Sequence, residues 1–372
     1  MKSEPIRIAH VMGKMNSGGV ESVVMNYYRN INKNKVQFDF IVDEDSYNIP
    51  REEIENMGGK IILIPPYKNI IRYIKALKKV LKTNEYNIIH SHLNSLSVFP
   101  LYVAKLCDIQ IRIAHSHSTS NKKEWKKNMV KNILRPFSKV NATHYFCCSE
   151  LAGRWLFGNR SYENNEVKLI NNAINVDKFI YNEDVRHIMR RELDIENNIV
   201  IGHVGRFVDQ KNHKGLIDIF YEIHKINPKS VLILAGEGPL LDDIKDKVNK
   251  LNLLNSVKFL GVRNDINKIM QAIDIFLLPS LYEGLPVVGV EAQASGALCI
   301  FSDDMTKETK VLQTTSFFSI SDSPQKWAED ILKLYKCFER KDVKQDIINA
   351  NFEINTEAKK LQKIYIELLK ND

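Results

Sequence analysis

The chain has 372 residues, more than one hydrophobic core usually organises, so we expect two domains. Its formal net charge of +8 suits an anionic partner, but no zinc-ligand spacing, aromatic RNA-binding signature or basic helix-turn-helix occurs, which disfavours nucleic acid. Five cysteines do not make a disulfide framework in a chain of this length. The sequence shows no signal-peptide pattern and no apolar run of roughly 20 residues. It therefore predicts a cytoplasmic protein, at most peripheral on the inner face of the plasma membrane.

The first half of the chain alternates short apolar segments with amphipathic helical patterns. One such helix is predicted over Val20–Asn30, where apolar residues recur at helical spacing. This alternation is typical of a parallel sheet covered by helices on both faces. The predicted strands are Ile6–Met12, Phe38–Val42, Lys60–Leu63, Ile88–His90, Ile111–His115 and His144–Cys148.

The same alternation begins again in the second half. It predicts an α/β fold of two doubly wound Rossmann-like domains, residues 1–180 and 199–355, joined by a charged, glycine-free hinge at residues 181–198. An amphipathic helix over Thr356–Leu369, in the C-terminal segment 356–372, needs a surface on which to pack. The predicted strands here are Ile199–Val204, Ser230–Ala235, Val257–Leu260, Ile275–Leu278 and Leu298–Phe301.

Two basic segments interleave cations with apolar residues. Residues 68–82 form a cationic amphipath if they are helical, which fits a surface helix whose apolar stripe packs on a sheet. The alternative is a second role, in which the lysines face anionic lipid head groups at up to about 1 kcal/mol each. The segment 122–139, with Trp125 and Phe137 among its cations, would reinforce a membrane contact.

The stretch from Ser280 to Gly296 is the strongest candidate for a ligand site. A buried strand ends at Pro279, a loop with a glycine follows, and the next proline suits the first turn of a helix. Backbone amides at a helix start, together with the helix dipole, favour an anion such as a diphosphate. The donor-binding candidates in this turn are Gly284, Leu285, Pro286, Val287 and Val288.

Two glutamates flank this helix start. Glu291 lies a turn and a half inside the helix, where its carboxylate can accept two hydrogen bonds from a vicinal diol such as ribose. Glu283 precedes the helix and is predicted to face the same pocket as a catalytic candidate. The alternative account is a pair of surface glutamates beside a glycine turn.

Two cations follow the first strand of the second domain. Arg206 ends that strand and Lys211 precedes the next helix, so both are predicted at the rim of the ligand cleft. There they would neutralise a diphosphate and stabilise it as a leaving group. The turn Gly236-Glu237-Gly238 is predicted to be structural.

In the first domain, Gly18 and Gly19 precede the first helix and would let a donor or acceptor phosphate approach the backbone. Their spacing matches neither the dinucleotide-binding fingerprint nor a P-loop, which disfavours an NAD enzyme and an NTPase. Glu21 is read equally well as a ligand contact and as a residue that caps the helix start.

Two histidine pairs, His90-Ser91-His92 and His115-Ser116-His117, end strands of the first domain. Each pair shares a strand face, but neither has carboxylate or cysteine partners at ligand spacing, so no metal is predicted. Hydrogen bonding to sugar hydroxyls, or help with proton transfer, suits imidazole better, and His117 is the preferred candidate. The alternative is a satisfied strand-end histidine. Asp43-Glu44-Asp45 is interpreted as a solvated acidic turn and not as a Mn²⁺ or Mg²⁺ site.

Together these residues resemble the family-4 retaining glycosyltransferases with the GT-B fold, especially bacterial members that build capsular and extracellular polysaccharides. The sequence departs from the family at Ala173, where an Asn-Gly-Ile turn is common. The motifs that carry the resemblance are Gly18-Gly19-Val20-Glu21, the two His-Ser-His pairs, Cys148-Ser149-Glu150, Asn172-Ala173-Ile174-Asn175, Gly205-Arg206-Phe207, Gln210-Lys211-Asn212, Gly236-Glu237-Gly238-Pro239 and Glu283 to Glu291.

The resemblance implies a role for each candidate. It implies that Glu291 holds a ribose, and that Arg206 and Lys211 hold the diphosphate of a nucleotide sugar. It implies that the loop Glu283–Val288 contacts the transferred sugar and phosphates and that His117 lies near that sugar. It further implies retention of anomeric configuration, no metal or other cofactor, and a C-terminal helix that crosses back to the first domain.

The resulting expectation is a transferase that moves a hexose or N-acetylhexosamine from a nucleotide sugar, by analogy a UDP-sugar, to a saccharide acceptor. The basic amphipath suggests that the acceptor is a growing, polyprenyl-diphosphate-linked repeat unit of a surface polysaccharide. Two alternatives stay open. One is a nucleotide-sugar epimerase on the same fold, and the other is a non-catalytic nucleotide-sugar-binding subunit.

Overall fold

The computed structural model describes residues 4–16, 18–118 and 125–370, which form two compact units. The first unit takes the chain up to Ala173 and again from Glu353 onwards, and the second takes Ile174–Phe352. The chain therefore passes from one unit to the other twice. Among the described residues, no helix has both the length and the apolar character needed to cross a bilayer.

The first unit is built on a parallel sheet with the strand order β3-β2-β1-β4-β5-β6-β7. The order reverses beside β1, so β1 and β4 are neighbours although two other strands separate them in the chain. The strands are β1 (Ile6–Gly13), β2 (Val36–Asp43), β3 (Lys60–Ile64), β4 (Ile88–Ser91), β5 (Ile111–Ser116), β6 (His144–Cys147) and β7 (Val167–Leu169).

Helices cover both faces of this sheet. On one face, buried residues of the central strands pack with Tyr73, Leu77 and Leu81 of α3 and with Leu101 of α4. On the other face α1 packs beside α16. The helices of the first unit are α1 (Gly19–Asn30), α2 (Arg51–Asn56), α3 (Ile70–Asn84), α4 (Val98–Lys105), α5 (Trp125–Leu134), α6 (Glu150–Phe157), α7 (Asn159–Glu163) and α16 (Ile354–Leu368).

The C-terminal helix α16 belongs to the first unit. It begins at Ile354, two residues before the predicted start, because the Glu353 carboxylate accepts hydrogen bonds from the amides of Asn355 and Thr356 at 2.7 and 2.8 Å. Its Tyr365 is fully buried, and the phenol oxygen lies 2.7 Å from Nδ1 of His90. This hydrogen bond and the contact of Tyr365 with Phe38 attach α16 to the sheet.

Five buried imidazoles lie in the carboxyl halves of β1, β4 and β5 or directly after them, and we call them the histidine cluster. They are His10, His90, His92, His115 and His117. The rings form two hydrogen-bonded chains, whose nitrogen-to-nitrogen distances are 3.0 Å for His10–His92, 2.8 Å for His92–His117 and 3.0 Å for His90–His115. Burial lowers the pKa of every one of them, to about 3 for His10 and His117, so all five are neutral at pH 7.

The second unit repeats the same architecture with the parallel strand order β10-β9-β8-β11-β12-β13. A continuous apolar core fills the space between this sheet and helices that include α10 and α14. The strands are β8 (Ile199–Val204), β9 (Ser230–Ala235), β10 (Val257–Gly261), β11 (Ile275–Leu278), β12 (Leu298–Ser302) and β13 (Ser316–Phe318). The helices are α8 (Val176–Phe179), α9 (Glu183–Glu192), α10 (His213–Ile226), α11 (Leu241–Lys250), α12 (Ile266–Ala272), α13 (Val287–Ala294), α14 (Pro324–Lys336) and α15 (Lys344–Asn349).

The segment predicted as a hinge, residues 181–198, lies inside the second unit and contains helix α9. Two arginines hold it there, because Arg186 and Arg190 both form ion pairs with the buried Asp274. Two of the cations in this segment therefore hold it inside the second unit, although most of its other charged side chains are exposed. The chain passes between the units at residues 173/174 and 352/353 instead, and the amide of Ile174 bonds to the carbonyl oxygen of Phe352 at 2.9 Å.

The predicted fold of two doubly wound domains is confirmed, and each strand predicted from the sequence is present within one or two residues at either end. Two strands were not predicted, β7 and β13. Both are three residues long, and each is the last strand at one edge of its sheet.

Changing Tyr365 to Phe tests the attachment of α16. The substitution keeps the ring but leaves Nδ1 of the buried His90 without its partner, which should lower the free energy of unfolding by about 1–3 kcal/mol. Urea unfolding of the two proteins measures the difference. Tyr102→Phe removes an exposed phenol and serves as the control, with no expected change. Equal stability of Tyr365→Phe and the native chain would contradict the assignment.

The histidine cluster predicts acid lability. In the unfolded chain these histidines bind protons below about pH 6.5, whereas the folded rings stay neutral, so stability falls as the pH falls from 7 to 5. Each histidine that stays neutral contributes a limiting slope of about 1.4 kcal/mol per pH unit. Urea unfolding at several pH values measures the slope.

Two substitutions give this measurement its controls. His117→Gln, at the edge of the cluster, should reduce the slope of the unfolding free energy against pH by about 1.4 kcal/mol per pH unit, the contribution of one histidine. His187→Gln, at an exposed position, should leave the slope unchanged. A native chain whose stability is flat between pH 5 and 7 contradicts the prediction.

Candidate active site

The strand order of the second sheet reverses between β8 and β11, which are hydrogen-bonded neighbours. Loops that leave two such strands run in opposite directions, and the crevice that opens between them is where doubly wound folds bind ligands. The loop after β8 carries residues 205–212 and the loop after β11 carries residues 279–286. Most of the candidate residues of the second unit therefore belong to one crevice.

Lys211 and Glu283 meet in this crevice, with 2.5 Å between Nζ and Oε1. Only 15% of the lysine side chain and 9% of the glutamate side chain are exposed, so the pair is largely desolvated. The side-chain amide of Gln210 donates to the other carboxylate oxygen and to the carbonyl oxygen of Tyr282, both at 3.1 Å. The sequence predicted both ionic residues but not that they are partners.

Backbone contacts hold the two loops together. The amide of Leu281 donates to the carbonyl oxygen of Gln210 at 2.8 Å, and the side chain of Asn212 donates to the carbonyl oxygen of Pro279 at 3.1 Å. Asn212 also takes a left-handed conformation and caps α10. With the contacts of Gln210 and Lys211, these bonds join the loops at five points, so the Glu283 carboxylate has a fixed position relative to the end of β8.

Arg206 lies in the loop, two residues after β8 ends and not in the strand as predicted; its side chain is exposed, and no ion pair engages it within the described residues. Its backbone is held by the turn after β9, since the amide of Phe207 donates to the carbonyl oxygen of Glu237 at 2.8 Å. The approach is close: a Cβ on Gly236 would lie 2.1 Å from the carbonyl oxygen of Gly205. The glycine turn thus fixes the path of the loop that carries Arg206.

Helix α13 begins at Val287, and Pro286 is its extended N-cap residue, with ψ at 118°. The sequence placed Pro286 inside the first turn, so the start of the helix lies one residue later than predicted. The amides of Val287 and Val288 lie in the first turn and have no intrahelical acceptor. They are available to an anion in the crevice, together with the positive end of the helix dipole.

Glu291 lies on α13 and is half-buried. Burial raises the pKa of its carboxyl group to about 7, and no side chain within the described residues pairs with it. A carboxyl group in this environment is poorly solvated and keeps its hydrogen-bonding capacity unused. Donors from a ligand, such as the two hydroxyls of a ribose, would satisfy it.

Gln293 is a structural residue beside the candidate site that the sequence analysis missed. It is fully buried and makes five hydrogen bonds. Its amide donates to the carbonyl oxygens of Gly289 and Thr309, and its carbonyl oxygen accepts from the amides of Val311 and Leu312 and from the hydroxyl of Thr315. This clamp fixes α13 against residues 309–315. A polar residue two positions from Glu291 on an otherwise apolar helix was the available signal.

In the first unit, Gly18 is the N-cap of α1 and Gly19 is its first residue. A Cβ on Gly19 would meet no atom within 4 Å, so this side of the helix start is open. Glu21 accepts a hydrogen bond from the amide of Asn16 at 3.3 Å, which favours its interpretation as a residue that orders the helix start. These residues belong to a different unit from Lys211 and Glu283.

His117 directly follows β5, and its amide donates to the side-chain oxygen of Asn94 at 2.7 Å. Its ring is hydrogen-bonded to His92, and burial lowers its pKa to about 3. At pH 7 the ring is therefore neutral: it can form hydrogen bonds but cannot act as a general acid in the imidazolium form. The alternative reading of a satisfied strand-end histidine accounts for one of its ring nitrogens.

Asp43 departs from the predicted solvated acidic turn. Its side chain is buried at the end of β2, and burial followed by the nearby charge of Asp45 raises its pKa to about 6. Asp45 is half exposed and pairs with Lys14. Its neighbour Glu44 is exposed, so the acidic turn is solvated only beyond its first residue.

Two family models match the chain. Residues 17–178 match the model described as Glycosyltransferase Family 4, and residues 185–350 match the one described as Glycosyl transferases group 1. The boundary between the two matches lies close to the division between the two structural units.

Curated relatives agree over most of the chain. A putative glycosyltransferase, EpsF of Bacillus subtilis (strain 168), is 36% identical over 340 residues, which cover 90% of this chain and 88% of the relative. An Escherichia coli UDP-Gal:alpha-D-GlcNAc-diphosphoundecaprenol alpha-1,3-galactosyltransferase is 26% identical over 310 residues, 80% of this chain and 79% of the relative.

Among solved structures, Anabaena Alr3699/HepE in complex with UDP and glucose superposes with a TM-score of 0.77 at 18% identity, covering 98% of this chain and 99% of that one. This likeness shows a shared fold. With the two family models and the relative at 36% identity, it establishes that the chain belongs to the family-4 glycosyltransferases of the GT-B fold and is a sugar-transferring enzyme.

Proposed function

We propose that the enzyme transfers a hexose or N-acetylhexosamine from a UDP-sugar, with retention of anomeric configuration, to a polyprenyl-diphosphate-linked saccharide during surface polysaccharide synthesis. The observation that carries the donor site is the crevice of the second unit. The Lys211–Glu283 pair lies on the two loops at the strand-order reversal, and the helix that follows contributes its first turn and Glu291, which has no side-chain partner in the described part of the chain. Cations, amides and a diol acceptor are the groups that a nucleoside diphosphate requires.

The proposed chemistry needs no metal and no enzymic nucleophile. Lys211, Arg206 and the first-turn amides of α13 neutralise the charge that develops on the departing diphosphate. One diphosphate oxygen takes the proton of the acceptor hydroxyl as that hydroxyl bonds to the anomeric carbon on the face the diphosphate leaves. Glu283, held by Gln210 when Lys211 turns to the phosphates, accepts hydrogen bonds from the sugar. His117 serves as a neutral hydrogen-bond partner of the sugar.

The choice of nucleotide and acceptor is supported by relatives. The Escherichia coli relative is named for a UDP-Gal donor and a diphosphoundecaprenol-linked acceptor. The Anabaena structure contains UDP and glucose. Carried to this chain, these names favour a uridine nucleotide and a lipid-linked sugar diphosphate.

The donor site predicts that Glu291→Ala weakens UDP binding. Two hydrogen bonds to a carboxylate are lost, so we expect the affinity for UDP to fall about 10- to 100-fold and the thermal stabilisation by UDP to decrease accordingly. Thermal melting against UDP, GDP and ADP and their sugars measures both effects. Glu329→Ala, an exposed acid on α14 of the same unit, is the matched control and should melt like the native chain. If UDP stabilised Glu291→Ala as much as the native chain, the assignment of Glu291 to the donor site would be wrong.

Acceptor-dependent release of UDP separates the proposed transferase from its rivals. A transferase releases UDP only when a lipid-linked saccharide is added, and proton NMR of the product reports whether the anomeric configuration is retained. A nucleotide-sugar epimerase consumes or isomerises the donor without an acceptor. A non-catalytic subunit binds UDP and releases nothing, an outcome that would leave the donor site in place while removing the transfer reaction.

We also propose that the first unit binds anionic membrane through α3. This helix buries Tyr73, Leu77 and Leu81 in the core and leaves its cations on the opposite side. The exposed cations of residues 68–82 are Lys68, Arg72, Lys75, Lys79 and Lys82. Beside them Ile71 is also exposed, which gives the surface an apolar element that can enter the lipid interface.

The second basic segment adds to this surface. Residues 122–124 lie outside the described residues, but α5 and the turn after it expose a series of large apolar side chains among Lys131, Arg135 and Lys139. No acidic residue occurs between residues 125 and 149. The exposed apolar side chains are Met129, Val130, Ile133, Phe137 and Val140.

Reversing three charges on α3 tests the membrane contact. Changing Lys75, Lys79 and Lys82 to Glu removes about 1 kcal/mol of attraction per cation, so binding to phosphatidylglycerol vesicles should fall at least about 100-fold. Vesicle co-sedimentation measures it. The control changes Lys229, Lys250 and Lys333 of the second unit to Glu, which alters the net charge equally. Equal losses in both variants would mean that net charge and not α3 determines binding.

A further inference from the structure

The histidine cluster brings together more imidazole than the proposed transfer reaction uses. Two triplets within it have ligand nitrogens that all lie within 4.8 Å of one another. One consists of His92, His115 and His117, which we call the outer triplet, and the other of His10, His90 and His92. Imidazole nitrogen is the ligand that Zn²⁺, Cu²⁺ and Ni²⁺ accept readily in proteins.

The hydrogen bonds of the cluster leave two ring nitrogens unused. Nε2 of His115 and Nε2 of His10 are buried and have no partner in the described part of the chain. A buried polar atom without a partner costs roughly 1–3 kcal/mol, so native structures keep few of them. Each N–H to N bond within the chains also requires a neutral acceptor ring, which is the form that binds a metal.

The outer triplet is close to the geometry of a three-nitrogen site. Nδ1 of His92 and Nε2 of His117 are 2.8 Å apart. Tetrahedral Zn²⁺ with bonds of about 2.0–2.1 Å holds its nitrogens about 3.3 Å apart, so an ion would enter after this pair opened by about 0.5 Å. His92 and His117 end adjacent strands and are 5% and 7% exposed, whereas His10 and His90 are 1% exposed, so an ion reaches the outer triplet first.

We propose that His92, His115 and His117 bind one divalent transition metal of the Zn²⁺ class, with the fourth position left to water or an anion. The ion would replace the hydrogen bond between His92 and His117 and use a nitrogen of His115, whose Nε2 the protein leaves without a partner. Because His117 is also a candidate partner of the sugar, metal binding inhibits transfer, a consequence that rests on the proposed function. The binding itself does not.

Cobalt binding tests the site without reference to activity. The native chain, stripped with chelator and free of any histidine tag, is titrated with Co²⁺, and the visible absorption of tetrahedral Co²⁺ reports nitrogen coordination. We expect one Co²⁺ per chain, displaced by Zn²⁺. His115→Gln should weaken binding at least about 100-fold, since a lost ligand costs no less than a lost supporting contact. His117→Gln, nearer the surface, supplies a second variant if His115→Gln fails to fold.

Two controls define what overturns the proposal. His10→Gln removes a residue that belongs only to the other triplet, His10, His90 and His92. His187→Gln removes an exposed imidazole outside the cluster. Both variants should bind Co²⁺ like the native chain. Absence of tetrahedral absorption, undiminished binding by His115→Gln, or equal loss in His10→Gln would each overturn the outer site. Binding without inhibition of UDP release would leave the metal site standing and remove only the role of His117 in transfer.

Discussion

In each sheet the strand order reverses beside the first strand, and the polar chemistry of both units depends on that reversal. Loops diverge from the two strands at this point, so side chains can gather there without a helix above them. In the second unit the reversal between β8 and β11 collects Lys211, Glu283 and the start of α13. In the first unit the reversal between β1 and β4 collects the histidine cluster.

The two crevices contain different kinds of buried polar group. At the reversal of the second sheet opposite charges are paired, and removal of either Lys211 or Glu283 would leave an uncompensated buried charge, at a cost of about 3–5 kcal/mol. At the reversal of the first sheet the imidazoles of the histidine cluster are neutral and hydrogen-bond to one another and to Tyr365. An ion pair can be opened by a charged ligand, and a neutral ring can accept a cation or a sugar hydroxyl. Each arrangement is therefore stable alone and responsive to a ligand.

Much of the fold could be predicted from the sequence because buried parallel strands are continuous apolar runs. The edge strands β7 and β13 could not, since three residues at the margin of a sheet carry no such run. The charged segment 181–198 was misread because Arg186 and Arg190 pair with Asp274, more than eighty residues away in the chain. Gln293 and the bonds within the histidine cluster were missed for the same reason. Residue spacing identifies which groups share an edge, and only the packed structure shows which of them are partners.

Glu291 and Gln293 on α13 differ in how far the protein itself satisfies their hydrogen-bonding capacity. The two residues are one turn or less apart on α13, yet Gln293 makes five hydrogen bonds and is completely buried, whereas Glu291 has none from a side chain in the described residues. Burial raises the pKa of Glu291 to about 7, so its carboxyl group is held where water solvates it poorly. One face of α13 is complete within the fold. On the other face, the carboxyl group of Glu291 has no side-chain partner in the described part of the chain, and this free capacity is the physical basis on which we propose α13 as the donor-binding element.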